Sequence, residues 1–301
     1  MWNKFLKLFF LTVAIPFFTT RAQTIDTLVF CGLDSIAFNA SFNGVVIEEL
    51  SGIEYTVHSN NYLLLPQSKK NTHLFVAKIQ TGNKFSVSVD SLIFLSVPQL
   101  EGESVRINPA DKHMYIAEEE DNKSFIYKVD KKNELKKIFS SKGKLRHNKG
   151  YEGLCFSPDG TTMYIGLESP LKGNISTITA VNLETGKQKV YNYSLDILEH
   201  DTKSDNGITE ILTLNDTTLI VVERTYMGPK YGNSIRIYKA VIPQSGNEII
   251  KEKLLTNFSA SPYIDNIEGV TFSASGKELI FVSDNNGNPR QRTLFICMKI
   301  E

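Results

Sequence analysis

Short apolar runs separated by turn residues recur along the chain with one layout. Each unit opens with a short strand-like run, makes a turn, and continues into a more apolar run. The five opening runs begin at Ser51, Glu103, Glu152, Glu210 and Glu268. The turns that follow are built from Pro, Gly, Asn, Asp and Ser, which favour tight reversals. Because no helical periodicity of useful length occurs, this pattern predicts an all-β chain.

The later runs of each unit complete a four-stranded layout. The second runs are the most apolar and are expected to be buried. They lie at 63–65, 114–117, 163–166, 219–222 and 279–282. A third run follows in all five units, and a fourth, outer run follows in the first four, as at 187–193. The fifth unit lacks a fourth run, whereas an unassigned apolar run, 27–31, lies near the other end of the chain.

A repeat of roughly 50 to 60 residues is typical of a propeller or another repeat architecture. We therefore predict a β-propeller with five blades of four antiparallel strands, with six blades as the alternative count. Using the N-terminal run as the last strand of the fifth blade closes the ring and removes exposed strand edges. A two-layer sandwich also accommodates many short strands, but it gives no reason for one pattern to recur in every unit.

The first 22 residues have the composition of a secretory signal peptide. Two lysines precede an apolar run at 8–18, and Thr20 and Ala22 supply small residues before the predicted cleavage point. The run is too short for a membrane span and contains a proline. We expect 1–22 to be removed and 23–301 to form one β-propeller domain that is secreted or periplasmic, with no membrane span in the mature chain.

Charge and composition narrow the class of function. The chain has 33 Lys and Arg residues against 33 Asp and Glu residues, and the predicted leader removes only basic ones. The mature chain is therefore slightly acidic and shows no excess of basic residues of the kind that binds nucleic acid. No Pro-, Gly- or Ser-rich linker divides it, which indicates a single domain.

The chain contains three cysteines, Cys31, Cys155 and Cys297, which cannot all pair with one another. None has the CxxC spacing of a zinc or redox motif. Cys31 ends the predicted closing run, and Cys297 lies in the last strand of the fifth unit. A disulfide between these two is one interpretation if their strands adjoin, and free buried thiols are the other.

Acidic residues recur in register at the strand ends. Three pairs share a spacing of 16 residues: Glu103 and Glu119, Glu152 and Glu168, and Glu268 and Asp284. The first unit has Ser51 and Gln67 instead, and the fourth pairs Glu210 with Glu223 across a shorter turn. In an antiparallel pair, the start of the first strand lies beside the end of the second. We therefore expect all these acids to gather at one mouth of the central channel.

So many carboxylates at one mouth need partners, because like charges repel. In one interpretation they hold Ca²⁺, a hard cation that takes about six to eight oxygen ligands. The candidate metal ligands are then Glu103, Glu152, Glu168, Glu268 and Asp284. In the other interpretation, the acids accept hydrogen bonds from backbone amides of neighbouring blades and fasten the ring.

Basic and amide side chains lie close to these acids in the sequence. Arg224 follows directly after Glu223, and Asn285 and Arg292 follow Asp284. Arginine suits bidentate capture of a phosphate or carboxylate group, and it suits pairing with an internal Glu equally well. The sequence contains no GxSxG, HExxH or phosphate-loop GxxxxGK motif.

Several of these segments, taken together, resemble the phytase-like family, often described by the esterase-like activity of phytase. The segments are NKGYEGL at 148–154, SPDG at 157–160, ESPL at 168–171, DNIEGV at 265–270, SDNN at 283–286 and LSGI at 50–53. The resemblance implies a β-propeller that hydrolyses esters, with phosphate esters such as phytate as substrates and calcium as the metal. Pro66-Gln67 departs from the family, which often has Asp there, and this directs a site toward the third and fifth units.

Two functions from different classes remain open. The first is a secreted, calcium-dependent phosphoric monoester hydrolase in which water attacks, because no activated Ser or Cys is apparent. Its candidate catalytic residues are Glu152, Glu168, Glu268 and Asp284. Its candidate substrate-binding residues are Arg224, Arg292 and Asn285.

The alternative is a non-catalytic exported propeller that binds a sugar, a peptide or a protein partner at the same mouth. Tyrosines combine an apolar ring with a polar tip and suit such a surface. The candidates near strand ends are Tyr151, Tyr226, Tyr231 and Tyr263. In both interpretations the ligand occupies the channel mouth.

Overall fold

The computed structural model describes residues 25–67, 71–196, 205–228, 231–259 and 265–301. The predicted signal peptide, 1–22, lies outside these residues. Among the residues described, no helix has the length and apolar character that crossing a membrane requires.

The described residues form five four-stranded antiparallel sheets and one two-stranded hairpin. The chain starts with β1 (Leu28–Ile36) and the hairpin of β2 (Ser41–Phe42) and β3 (Val45–Val46). Blade 1 contains β4 (Leu50–Thr56), β5 (Asn61–Pro66), β6 (His73–Gln80) and β7 (Ser86–Phe94). Blade 2 contains β8 (Gly102–Ile107), β9 (Met114–Glu120), β10 (Lys123–Val129) and β11 (Leu135–Ser140).

The remaining three blades follow the same plan. Blade 3 contains β12 (Tyr151–Phe156), β13 (Thr162–Leu167), β14 (Ile175–Asn182) and β15 (Gln188–Ser194). Blade 4 contains β16 (Asp205–Asn215), β17 (Thr218–Tyr226), β18 (Asn233–Val241) and β19 (Ile250–Ser259). Blade 5 contains β20 (Asn266–Phe272), β21 (Glu278–Asp284), β22 (Thr293–Ile300) and β1.

Strand β1 closes the ring as the outer strand of blade 5. It pairs antiparallel with β22 along its whole length. Beyond the strand, the backbone N–H groups of Asp26 and Thr27 donate to the carbonyl of Glu301 at 2.8 and 3.0 Å. The five innermost strands β4, β8, β12, β16 and β20 lie beside one another around the axis. The predicted five-bladed propeller, closed by the N-terminal strand, is therefore confirmed.

Apolar side chains pack between blades and not within a single layer. In one cluster, Ile53 and Leu64 of blade 1 lie against Ile280 and Phe295 of blade 5, and all four are fully buried. The other clusters of the described residues join neighbouring blades in the same way around the ring. Because both faces of a blade are covered, its second strand carries a continuous apolar run and no alternation.

Each innermost strand carries a β-bulge near the channel mouth. The pairing of β8 with β9 slips between Gly102 and Ser104, which leaves Glu103 as the extra residue. Glu152 and Glu268 are the extra residues of β12 and β20 in the same way. A bulge turns its extra side chain out of the normal alternation. All three of these carboxylates face the cavity at the mouth.

Blade 4 departs from the sequence expectation by one residue. Its bulge leaves Thr209 as the extra residue in place of Glu210. At the end of β17, Arg224 and not Glu223 faces the cavity. Successive side chains of a strand point to opposite faces, so a shift by one residue turns an expected mouth residue away. The expectation that Glu210 and Glu223 lie at the mouth is therefore corrected.

A buried ion pair fills the axis below the mouth. Glu210 and Arg106 lie 2.7 Å apart, and neither is more than 2% exposed. Arg106 also donates to the backbone carbonyls of Ile53, Ile211 and Val270, which belong to blades 1, 4 and 5. Arg106, which belongs to blade 2, thus joins four blades through its hydrogen bonds.

Candidate functional site

An open cavity of about 900 Å³ lies at the mouth and is lined by side chains from all five blades. Its lining includes eight Asp and Glu residues but only three Lys and Arg residues. The basic residues are Lys149, Arg224 and Arg290. A concave surface with this excess of negative charge concentrates cations.

Glu103, Glu119 and Glu152 form a compact acidic trio in the cavity wall. One oxygen atom of each lies within 4.8 Å of those of the other two, and none of the residues is more than 7% exposed. Burial and repulsion from neighbouring acids raise the pKa of Glu152 well above its usual range, and burial does the same for Glu103. Burial and repulsion therefore disfavour the charged form of these carboxylates, and a bound cation would favour it.

The carboxylate of Glu119 gives the strongest indication that the trio binds a cation. Its Oε1 atom is buried and has no hydrogen-bond partner among the described residues. Burial and repulsion from Glu168 raise the pKa of Glu119 to about 8. The backbone of Gly150 passes so close that a Cβ there would lie 3.1 Å from this oxygen. A buried acceptor without a donor is costly, and a bound cation would satisfy it.

Gln67 replaces an acid in blade 1 and holds the trio by a different interaction. Its Nε2 atom lies 3.0 Å from both carboxylate oxygens of Glu103. Gln67 therefore donates hydrogen bonds to the site, whereas the carboxylates at the equivalent positions of other blades can only accept them when charged. Blade 1 thus still contributes a side chain to the cavity, although Gln67 is not acidic.

Two further carboxylates are already paired with basic side chains. Arg224 bridges Glu168, at 3.0 Å, and Glu268. Lys149 lies 2.7 Å from the same Glu168 oxygen. The Oε2 atoms of Glu168 and Glu268 are buried and have no hydrogen-bond partner in the described part of the chain. Of the predicted metal ligands, Glu103 and Glu152 thus belong to the acidic trio, whereas Glu168 and Glu268 are paired with basic side chains.

Asp284 lies at the end of β21 on the same cavity wall. It is 3% exposed, and its carboxylate accepts a hydrogen bond from the backbone N–H of Asn286 at 2.6 Å. Burial and repulsion from Glu268 raise its pKa to about 7. Asp284 therefore changes protonation near neutral pH, which suits a proton donor or acceptor.

Asn285 and Arg292, the other predicted substrate-binding residues, do not line the cavity. The Oδ1 atom of Asn285 is buried and accepts backbone N–H groups of Glu49 and Gly287, so it shapes the turn. Arg292 is exposed, and its backbone N–H donates to Asp265. The turn after β21 brings Arg290 to the cavity instead of Arg292, which sequence order alone does not indicate.

Sequence analysis did not assign Glu119 to the metal or Lys149 to the site. Glu119 belongs to the same spaced pattern as Glu168, and the pattern does not distinguish the two. The difference arises from Arg224, which reaches across from blade 4 to Glu168 only in the folded ring. Lys149 lies within the NKGYEGL segment, where the segment itself is the only signal.

The tyrosines of the alternative function fall into different places. Tyr226 and Tyr231 line the cavity and are 43% and 45% exposed. Tyr151 is buried. Tyr263 lies outside the described residues.

The donor set of the acidic trio suits a hard divalent cation. It offers carboxylate oxygens and one neighbouring amide, with no His or Cys among the side chains that line the cavity. Oxygen-only sites favour calcium, magnesium or manganese over zinc or copper. The buried, unpartnered oxygen of Glu119 fits this assignment.

Comparison with known proteins gives one family and several distant folds. The family described as "Phytase-like: Esterase-like activity of phytase" matches residues 46–287. No curated protein matches the chain. A solved protein from Lactobacillus plantarum is 12% identical over 83% of this chain and 88% of that chain, with a TM-score of 0.49.

Two other solved structures are similarly distant. The periplasmic gluconolactonase of Pseudomonas aeruginosa is 12% identical over 85% of this chain and 71% of that chain, with a TM-score of 0.43. A putative oxidoreductase (glucose dehydrogenase) of Thermus thermophilus is 9% identical over 88% of this chain and 99% of that chain, with a TM-score of 0.47. Likeness at this level carries no argument about activity.

Proposed function

The chain belongs to the phytase-like family, and from this premise we propose that it is a calcium-dependent phosphoric monoester hydrolase. The observation that carries the proposal is the acidic trio of Glu103, Glu119 and Glu152, which is buried and compact and makes no direct ion pair with a basic side chain of the described residues. Basic side chains that suit a phosphate group lie on the same cavity. An enzyme that handles phosphate esters through a divalent cation needs both features together.

Calcium is held in this proposal by the trio. Burial raises the pKa of Glu152, and Glu168 and Glu268 lie near enough to raise it further by repulsion. Each of these two has a buried Oε2 atom without a hydrogen-bond partner among the described residues. When bound, the cation would offset most of the negative charge of the trio and would polarise the phosphoryl group for attack by water. The excess of acids over bases in the cavity supports this order of binding. A phosphate ester would meet strong repulsion there unless a cation had bound first.

Arg224 and Lys149 hold the phosphate oxygens in this proposal. Arginine presents paired N–H donors that match phosphate geometry, and lysine adds a point charge. Glu168 and Glu268 hold the side chains of Arg224 and Lys149 in place at the cavity before the substrate binds. Arg290 lies on the exposed turn that lines the cavity, and in this proposal it would contact the outer part of the ester.

Asp284 moves the proton in the proposed reaction. A group whose pKa lies near 7 transfers protons efficiently at neutral pH, and burial raises the pKa of Asp284 to about 7. In its protonated form it gives a proton to the alcohol oxygen that leaves. Glu152 acts as a metal ligand and not as a proton donor in this proposal, because it binds the same cation as Glu103 and Glu119.

The test is phosphate release from phytate and from p-nitrophenyl phosphate, with added calcium and then with a chelator. We expect release with calcium, loss of release with the chelator, and loss in the Glu152→Gln variant. Glu134→Gln is a matched control, because Glu134 is an exposed acid in an outer turn of blade 2. No release from either ester under any condition would count against hydrolysis.

A second candidate function is a non-catalytic propeller that binds a sugar, a peptide or a protein partner. It is favoured by one observation, the exposed rings of Tyr226 and Tyr231 on the cavity wall. Exposed aromatic rings bind the apolar faces of such ligands. Screening soluble glycans and peptides by thermal shift, with Tyr226→Ala as the comparison, tests it. A ligand that stabilises the wild type and the variant equally would argue against this surface.

We also propose that the protein is exported, with 1–22 removed and 23–301 forming the mature domain. The support is the leader-like sequence and the absence of a basic, nucleic-acid-like composition. Expression of the full chain in a bacterial host, followed by N-terminal sequencing of the exported protein, should give Gln23 as the first residue. Retention of the complete leader in the cytoplasm would contradict it.

A further inference from the structure

The ring is closed by a contact between the two ends of the chain, and two cysteines lie at this contact. Cys31 belongs to β1 and Cys297 to β22, strands that are paired side by side. The Sγ atoms of Cys31 and Cys297 are 2.7 Å apart. A covalent disulfide has sulfurs about 2.05 Å apart, so a small movement of either side chain joins them.

We propose that Cys31 and Cys297 form a disulfide that fastens the closing strand to the last strand of the chain. The pairing of β1 with β22 shifts between Phe30 and Gly32, which makes Cys31 the extra residue of a bulge. A bulge redirects its side chain, and here it brings the sulfur of Cys31 beside that of Cys297, whose backbone is paired with Gly32.

Accessibility fits an exchange reaction. Cys31 is exposed, whereas Cys297 is 2% exposed. The Cys31 thiolate attacks a low-molecular-weight disulfide such as oxidised glutathione, forming a mixed disulfide and releasing one thiol. Cys297 then attacks the Cys31 sulfur, forming the internal bond and releasing the second thiol. The two protein thiols lose two protons and two electrons, and the glutathione disulfide gains them.

The third cysteine provides an internal control. Cys155 lies in β12, on another blade, and is buried, and its sulfur accepts a hydrogen bond from the Thr213 hydroxyl at 3.1 Å. It is therefore not positioned to compete for Cys31. Blade 5 takes β1 from the opposite end of the chain, so the pairing of β1 with β22 joins the two chain ends. A covalent link there keeps these ends together in the unfolded chain.

The experiment uses the full mature chain after incubation with oxidised glutathione and, separately, with dithiothreitol. Thiol titration under denaturing conditions should give one thiol per chain after oxidation and all three after reduction. Peptide mapping without reductant should recover a Cys31–Cys297 crosslink. Oxidation should raise Tm by roughly 5 to 15 °C, because a link across a long loop stabilises by restricting the unfolded chain.

Variants separate this bond from general effects of oxidation. Cys31→Ser should abolish both the crosslink and the Tm difference between oxidised and reduced protein, whereas Cys155→Ser should keep both. Three free thiols after oxidation, a crosslink that includes Cys155, or an intermolecular crosslink would each overturn the proposal. An unchanged Tm despite a Cys31–Cys297 crosslink would overturn the claim that the bond fastens the ring.

Discussion

Replacing Glu210 by Gln should destabilise the protein strongly, although Glu210 is remote from the proposed chemistry. Glu210 is fully buried and lies 2.7 Å from the Arg106 guanidinium. The substitution preserves size and leaves an oxygen that accepts the N–H groups of Leu154 and Ile211, as Glu210 does now. The substitution therefore removes the charge that compensates Arg106, and it puts an NH2 group, which cannot accept a hydrogen bond, in place of the oxygen that faces Arg106.

The cost follows from the burial of the pair. Removing one partner of a buried ion pair typically costs about 3 to 5 kcal/mol. We expect about 3 kcal/mol, because Arg106 keeps its bonds to backbone carbonyls and Glu54 lies 3.6 Å from it. For a domain of this size, that lowers Tm by roughly 6 to 12 °C.

Thermal and urea unfolding, followed by circular dichroism at about pH 8, measure the change. That pH lies above the value of about 7 to which burial raises the pKa of Glu210, so its carboxylate is charged. The matched control is Glu252→Gln, which removes the exposed Lys239–Glu252 pair and should cost less than about 1 kcal/mol. A loss of stability for Glu210→Gln as small as that of the control would refute the claim that the buried Glu210–Arg106 pair stabilises the ring.

Three further changes test the mouth. Glu152→Gln should raise Tm of the calcium-free protein, because it removes repulsion within the acidic trio, and should abolish the rise of Tm with calcium; a larger calcium shift would contradict this. Burial raises the pKa of Glu119 to about 8 and that of Asp284 to about 7, so the folded state holds protons that the unfolded chain has released. Calcium-free stability should therefore fall as pH rises from about 4.5 to 8, and rising thermal stability over that range would oppose it. Gly207→Ala places a Cβ 2.6 Å from the Glu168 side chain, so it should impair phosphate release, and full activity would count against the placement of Glu168.

The fold was predictable because each repeat can be recognised from residue types that are close together in the sequence. Continuous apolar second strands such as 63–65 follow from burial between two blades, and turn residues mark where each strand ends. The closing role of β1 followed from counting strands, since the fifth unit had one too few. The exact start and end of that strand did not follow, because its pairing with β22 continues past the bulge at Cys31 to Ile36, beyond the apolar run.

The site was predictable only in part. The spacing of Glu103, Glu152 and Glu268 identified the mouth, because all three are bulge residues at equivalent places. Blade 4 shifts by one residue, and a chain with Thr209 before Glu210 gives no sign of which one the bulge takes. The sequence also did not show which charged side chains pair with one another, because contacts between blades are made by residues far apart in the sequence.

Calcium titration by calorimetry tests the central claim, that the acidic trio is a metal site, most directly. The wild-type protein, freed of metal by a chelator and dialysed, should bind calcium with saturation. Glu119→Gln and Glu152→Gln should lose that binding, while Glu134→Gln should keep it with unchanged affinity. Absence of binding in the wild type, or binding by Glu119→Gln and Glu152→Gln with the same affinity as the wild type, would show that the trio is structural.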